Sequence, residues 1–227
     1  MTPNFMETQM AHNHSNGARV QPDTMQKQKT GTTVMAFCGD GVLVLACDSR
    51  TSQGSYIANR CSFKIETISP SMSLLRSGAT AHTQYAAEYL RTNIHYRELL
   101  DSEKPCVKHT AAILRNFLYE NRQYLQGAII LGGVDDEGPH VYQIPLGGAL
   151  LERDIAVGGS GSVFISAFID EHYREGMNKE DAIDFAKAAV THAMSRDGSS
   201  GGVVRIRTID LEGKSEDYTF TGDEVRQ

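Results

Sequence analysis

Gly31-Thr32-Thr33 stands where a polar tail gives way to the first strand-like segment, and it is the first place in the chain where covalent chemistry can be sought. A threonine hydroxyl is a weak nucleophile and needs a base. No histidine has an evident aspartate partner and serine target, so a conventional triad cannot supply it. Cutting the chain between Gly31 and Thr32 would create an α-amino group with a reference pKa of about 7.7–8.0, neutral in useful fraction at cellular pH and on the same residue as Oγ1. Before the cut that nitrogen is an amide, so the uncut chain is silent by chemistry. Glycine at position 31 lets the backbone bend enough for the hydroxyl to attack the bond preceding it.

Other residues could serve such a nucleophile. Asp48 and Arg50 close an apolar run at i, i+2 and are expected on one face of a strand, and Lys64 falls near the start of the next strand, where it could meet Asp48. By itself such a trio is more often a surface salt bridge than a site. Two glycine-rich loops compete for attention. Gly158-Gly159-Ser160-Gly161 joins a strand to a helix, but Phe164 stands where a dinucleotide fingerprint needs its third glycine. Gly198-Ser199-Ser200-Gly201-Gly202 spells G-x-S-x-G between a helix and a strand, the reverse of the order a nucleophile elbow requires. Both loops are equally compatible with plain turn chemistry. His12 and His14 form an H-x-H pair without further ligands nearby, so neither a metal nor another cofactor is expected.

The elements that must position these residues follow from periodicity. Residues 1–30 carry neither helical nor strand pattern and read as a tail outside the fold. Thr33 to Cys38 and Val42 to Cys47 flank Asp40-Gly41, a hairpin signal, so the domain opens with a β-hairpin. Short strands near Lys64–Ile68 and Ser73–Ser77 follow. Two helices come next, one with Ala86, Leu90 and Ile94 every four residues, one with Ile113, Leu114, Phe117 and Leu118. Strands at Ala128–Val134, His140–Ile144 and Ala149–Val157 read as an antiparallel meander. A helix over Ser162–His172 and another capped by Asn178 precede strands at Val203–Asp210 and Glu216–Phe220. This order predicts an α+β sandwich in which antiparallel sheets stack and helices cover their outer faces.

Composition sets the outer limits. The 227 residues suffice for one domain with its own core, and 40% hydrophobic with 22% charged residues is ordinary for a globular chain. A net charge of −6 without a Lys/Arg cluster argues against nucleic acid or an anionic membrane as main partner. Cys38, Cys47, Cys61 and Cys106 show no C-x-x-C spacing and read as reduced, intracellular thiols. Without a secretory core or an apolar run of roughly 20 residues, the expected compartment is cytosolic or nuclear.

Over Thr32 to Gly222 the sequence resembles the catalytic beta subunits of the eukaryotic 20S proteasome. The resemblance is carried by G-T-T at 31–33, D-S-R at 48–50, G-S-Y-I-A-N-R at 54–60 with Lys64, R-S-G at 76–78, G-G-S-G-S at 158–162, Y-R-E-G-M at 173–177 and R-D-G-S-S-G-G at 196–202. Arg76 and the stretch from Asp48 to Arg60 look most like the beta type-1, caspase-like subunit. The family implies a four-layer αββα N-terminal nucleophile hydrolase sandwich over residues 32–227, and residues 1–31 as a propeptide removed by self-processing at Gly31–Thr32. It implies Thr32 as nucleophile, Asp48 and Lys64 as the charged pair beside it, Ser160, Asp197 and Ser200 as the network around the amine, and the Gly78 N–H as oxyanion donor. Arg76, Thr51 and Thr80 would bind substrate, with Arg76 on the floor of the pocket for the residue before the cut bond. The implied activity is a threonine endopeptidase cleaving after acidic residues. It would work in stacked seven-membered rings of alpha and beta subunits on unfolded polypeptides, in ubiquitin-dependent protein degradation in cytoplasm and nucleus. Cys47, Cys61-Ser62 and the end at Gln227 depart from the family pattern outside the catalytic set. Glu66, two residues beyond Lys64, is expected to be able to reach Arg76 and weaken the preference for acidic substrates.

Overall fold

The backbone of the sandwich is a pair of five-stranded antiparallel sheets. The structure is a computed structural model, and it describes residues 31–101 and 105–225. Residues 1–30 of the propeptide expected over 1–31, with His12 and His14, lie outside the described residues. The first sheet has the order β10-β1-β2-β11-β12, built from β1 (Val34–Gly39), β2 (Val42–Cys47), β10 (Ile155–Gly158), β11 (Val204–Asp210) and β12 (Ser215–Phe220). The second has the order β5-β6-β7-β8-β9, from β5 (Ile65–Ser69), β6 (Met72–Gly78), β7 (Gly127–Asp135), β8 (Gly138–Ile144) and β9 (Leu151–Glu152). Helices α1 (Thr80–Asp101) and α2 (Val107–Glu120) cover the second sheet; α3 (Ser162–His172) and α4 (Lys179–Arg196) cover the first, and a short α5 (Gly222–Val225) follows β12.

The four layers follow from strand alternation, since successive side chains point to opposite faces. In β1 and β2, Val34, Ala36, Leu43, Leu45 and Cys47 enter the core between the sheets, while Met35, Phe37, Val42, Val44 and Ala46 pack under α3 and α4. In β6 and β7, Leu75 and Ile130 face the other sheet, and Met72, Leu74, Ile129 and Leu131 face α1 and α2. Strands buried on both faces read as continuous apolar runs, as Val42–Cys47 does. Ala182, Ala186, Ala189 and Ala193 on α4 are fully buried, and their small size lets the helix lie close on the sheet. Asn178 caps α4 by accepting the Asp181 N–H at 2.9 Å.

One expectation needs correction, and one element was not expected. The single strand expected over Ala149–Val157 is two strands in different sheets: β9 pairs with β8, while β10 pairs with β1. The three charges Glu152-Arg153-Asp154 interrupt the apolar run, and the chain crosses between the sheets at Arg153-Asp154. A hairpin of β3 (Thr51–Gln53) and β4 (Tyr56–Asn59) was not anticipated. Its signal is the two-residue turn Gly54-Ser55, with Gly54 at φ +63°.

Candidate active site

The site forms at one end of the sandwich, where the β1–β2 ladder of one sheet meets the β5–β6 ladder of the other. Thr32 immediately precedes β1 and is 5% exposed, so its hydroxyl has a fixed surrounding. Lys64 immediately precedes β5, and its carbonyl accepts the Arg76 N–H at 3.0 Å, which extends the β5–β6 pairing by one rung. That rung sets Lys64 and Arg76 side by side. Their side chains then diverge, Lys64 toward Thr32 and Arg76 into the wall beneath it.

The Lys64 ammonium donates to Asp48 Oδ1 at 2.6 Å and to Thr32 Oγ1 at 3.2 Å. Asp48 is completely buried and fully engaged: Oδ1 also accepts the Thr33 N–H at 2.9 Å, and Oδ2 accepts those of Arg50 at 3.1 Å and Gly201 at 3.0 Å. A buried ion pair holds its geometry when its remaining lone pairs are satisfied in this way. The expectation that Asp48 and Arg50 share a strand face is corrected. Residues 48–50 lie beyond the end of β2, because the Asp48 carboxylate folds onto the Arg50 N–H in a local turn, an alternative to the ladder. Arg50 makes no ion pair with Asp48; its Nη1 donates to the Gly198 carbonyl at 2.9 Å.

Behind Thr32 a second network assembles from the two glycine-rich loops. The Thr32 N–H donates to Ser160 Oγ at 3.2 Å, and Ser160 donates to Asp197 Oδ2 at 2.6 Å. Ser200 donates to the same oxygen at 2.6 Å, so Thr33 must be the donor in its 2.7 Å contact with Ser200. Burial pushes the Asp197 carboxyl up. Hydrogen bonds from Ser160, Ser200 and the Ser199 N–H, with the charge of Lys64, outweigh that and hold it below its ordinary value. The loops have structural reasons for their glycines. Gly159 has φ +83°, and a Cβ there would overlap the Thr32 carbonyl; one on Gly161 would overlap the Thr33 hydroxyl. Ser200 is buried within the Asp197 network, between α4 and β11, and is not the tip of an elbow.

Thr32 also faces a small cavity. Arg76, Thr51, Thr80 and Gly78 line it together with Lys64 and Thr32, so the expected substrate-binding residues and the expected oxyanion glycine converge on the hydroxyl. Gly78 has φ +103°, and a Cβ on it would stand 2.9 Å from Gly127 Cα, so only glycine fits. Arg76 Nη2 donates to the Phe63 carbonyl at 2.6 Å and pairs with Glu66 at 3.0 Å, the contact that the sequence allowed for. Glu66 lies opposite Leu74 in the ladder, which makes Arg76 its diagonal neighbour on the helix-facing side. Thr32 Oγ1 lies 2.6 Å from the Gly31 carbonyl oxygen, so the hydroxyl already touches the peptide group that would be cut.

Several contributors had no distinct signal in the sequence. Ser52, on the unanticipated β3, accepts the Gly31 N–H at 2.9 Å. Thr33 supplies both an amide to Asp48 and a hydroxyl to Ser200. Arg91, on α1, reaches Glu66 at 3.2 Å. Ser52 belongs to a hairpin whose turn could have been read; Arg91 is brought in by tertiary packing alone.

Two stacked antiparallel sheets between helical layers, with a threonine leading into the first core strand, are the N-terminal nucleophile hydrolase fold. The profile of the family described as "Proteasome subunit" matches residues 28–209. A probable proteasome subunit beta type-1 of Encephalitozoon cuniculi is 40% identical over 202 residues, 89% of this chain and 98% of that protein. Proteasome subunit beta type-6 of Arabidopsis thaliana is 39% identical over 86% of this chain and 84% of its own length. Proteasome subunit beta type-1 of Saccharomyces cerevisiae is 36% identical over 93% and 99%. The chain belongs to the proteasome subunit family, as one of its beta subunits.

Proposed function

We propose that this subunit is a self-processing threonine endopeptidase of the proteasome core, cut at Gly31–Thr32, with residues 1–31 as its propeptide. The observation that carries the reading is the Thr32 hydroxyl held between the Lys64 ammonium and the Gly31 carbonyl, with Asp48 buried behind the lysine. The ammonium favours negative charge on Oγ1 as it attacks a carbonyl carbon. Cleavage turns the Thr32 amide into an amine beside Ser160, where that serine and Asp197 can orient it as the base. The same hydroxyl then attacks substrate, forms an ester on Thr32 and releases the amine fragment; water hydrolyses the ester. The Gly78 N–H takes the role of oxyanion donor.

Arg76 gives the cavity a guanidinium, and with Thr51 and Thr80 it favours an acidic residue before the cut bond. Glu66 blunts that preference without cancelling it, because it is shared with Arg91. The subunit acts beside other beta subunits and alpha subunits in stacked seven-membered rings, on unfolded polypeptides, in cytoplasm and nucleus. Enclosure supplies the selectivity an open protease would lack. Fluorogenic peptides differing only in that residue test the specificity, in particles whose other active subunits are blocked. Acidic peptides should be cleaved fastest, and Glu66→Thr should widen their lead. Equal rates for acidic, basic and apolar peptides in both proteins would refute the Arg76 assignment.

A further inference from the structure

Glu66 does not line the cavity; it stands behind Arg76 and acts through it. Its two oxygens are divided. Oε1 lies 3.0 Å from Arg76 Nη2, and Oε2 accepts from Arg91 Nη2 at 3.2 Å. Arg91 is itself anchored, since its Nε donates to the Thr67 carbonyl at 3.0 Å on the same strand as Glu66. The guanidinium therefore bonds one backbone carbonyl and one carboxylate of β5 at once, which keeps its charge beside Glu66. Two arginines and one glutamate leave this cluster with a net charge of +1. Without Arg91 the Arg76–Glu66 pair would sum to zero, directly under the substrate's side chain.

We propose that Arg91, on α1 and outside the cavity, determines specificity by holding Glu66 away from full neutralisation of Arg76, so that the pocket floor can still take a carboxylate. The inference rests on the reading of Arg76 as that floor. A substrate carboxylate entering the cavity competes with Glu66 for one guanidinium. Every share of the Glu66 charge that Arg91 takes up weakens the competitor. Arg91 is a positioning residue here; it touches neither the cavity nor Thr32.

The test compares kcat/KM for three peptides that differ only in the residue before the cut bond: Asp, its neutral isostere Asn, and Leu. It uses assembled particles with the other active subunits blocked. Arg91→Gln should lower the Asp:Asn ratio about 3- to 5-fold, the size of one partly exposed charge pair, and leave Leu cleavage unchanged. Arg91→Lys, which keeps the charge, should stay within about 2-fold of the wild type. Glu66→Gln should raise the ratio, and Arg91→Gln added to Glu66→Gln should change nothing more, because there is no charge left to divide. An unchanged Asp:Asn ratio in Arg91→Gln, or equal losses on all three peptides, overturns the proposal. Arg76→Gln separates the two levels. If it collapses the ratio while Arg91→Gln does not, only the role of Arg91 fails; if it leaves the ratio intact, the pocket floor itself has been misplaced.

Discussion

Asp48 shows how a single buried carboxylate can organise a site. It binds one ammonium and three backbone N–H groups, which tie the Thr32–Thr33 backbone, the end of β2 and the Gly201 loop to one point. Removing it strands the Lys64 ammonium, so Asp48→Ala should cost about 3–5 kcal/mol and lower the amount of subunit recovered in particles. Asp197 makes a different prediction. Its carboxyl is held below the ordinary value in the folded chain, so its stabilising contribution is present above the usual Asp range. That contribution fades only as pH falls through the lowered value. Asp197 thus stays ionised where the amine titrates, and the acidic limb of kcat/KM should follow the Thr32 amine near its reference range of about 7.7–8.0 or below. Asp197→Asn should lower the rate by on the order of 10²-fold through misplacement of Ser160 and the amine, with the limb unmoved. A pH–rate profile of both proteins checks it; a limb that disappears in the variant would assign the titration to Asp197.

At the scale of elements, the loops that carry the site are as constrained as the strands. Gly161→Ala should disrupt the placement of Thr33 under the loop, and Gly159→Ala that of Thr32. Both variants should lose processing and hydrolysis while β1 and β2 still pair, which N-terminal sequencing and circular dichroism would separate. The inner core makes its own prediction. Burial pushes the Cys47 thiol up to about 12 and that of Cys38 up to about 11. Both should resist a maleimide in the native particle and react after denaturation, as read by peptide mass. Labelling of native Cys47 would mean the sheets are not stacked as described. The elements themselves were legible wherever burial is on both faces or periodic: Val42–Cys47 and Ser162–His172 fall as expected because an apolar run or a helical stripe declares itself locally. The split of Ala149–Val157 between two sheets was not legible, since partner choice is decided by distant strands. The site divides in the same way. Thr32, Lys64 and Asp197 could be named from motif segments; Ser52 and Arg91 could not, because nothing in their local sequence announces the residues they meet.

For the whole molecule, several large apolar side chains remain outside the sandwich: Leu99 and Leu100 at the end of α1 are 69% and 64% exposed, and Val163 at the start of α3 is 78% exposed. Adjacent exposed leucines on one helix suit a chain that meets neighbours in an assembly. Hydrogen exchange at the end of α1 should slow on incorporation into particles. Whether a single cut creates the nucleophile is read from the N-terminal mass of this chain in purified particles whose other active subunits are blocked. The mature chain should begin at Thr32, and the Thr32→Ala chain should remain joined across Gly31 with its hydrolysis gone. A wild-type chain that remains joined across Gly31–Thr32 in particles still cleaving its substrates would contradict this.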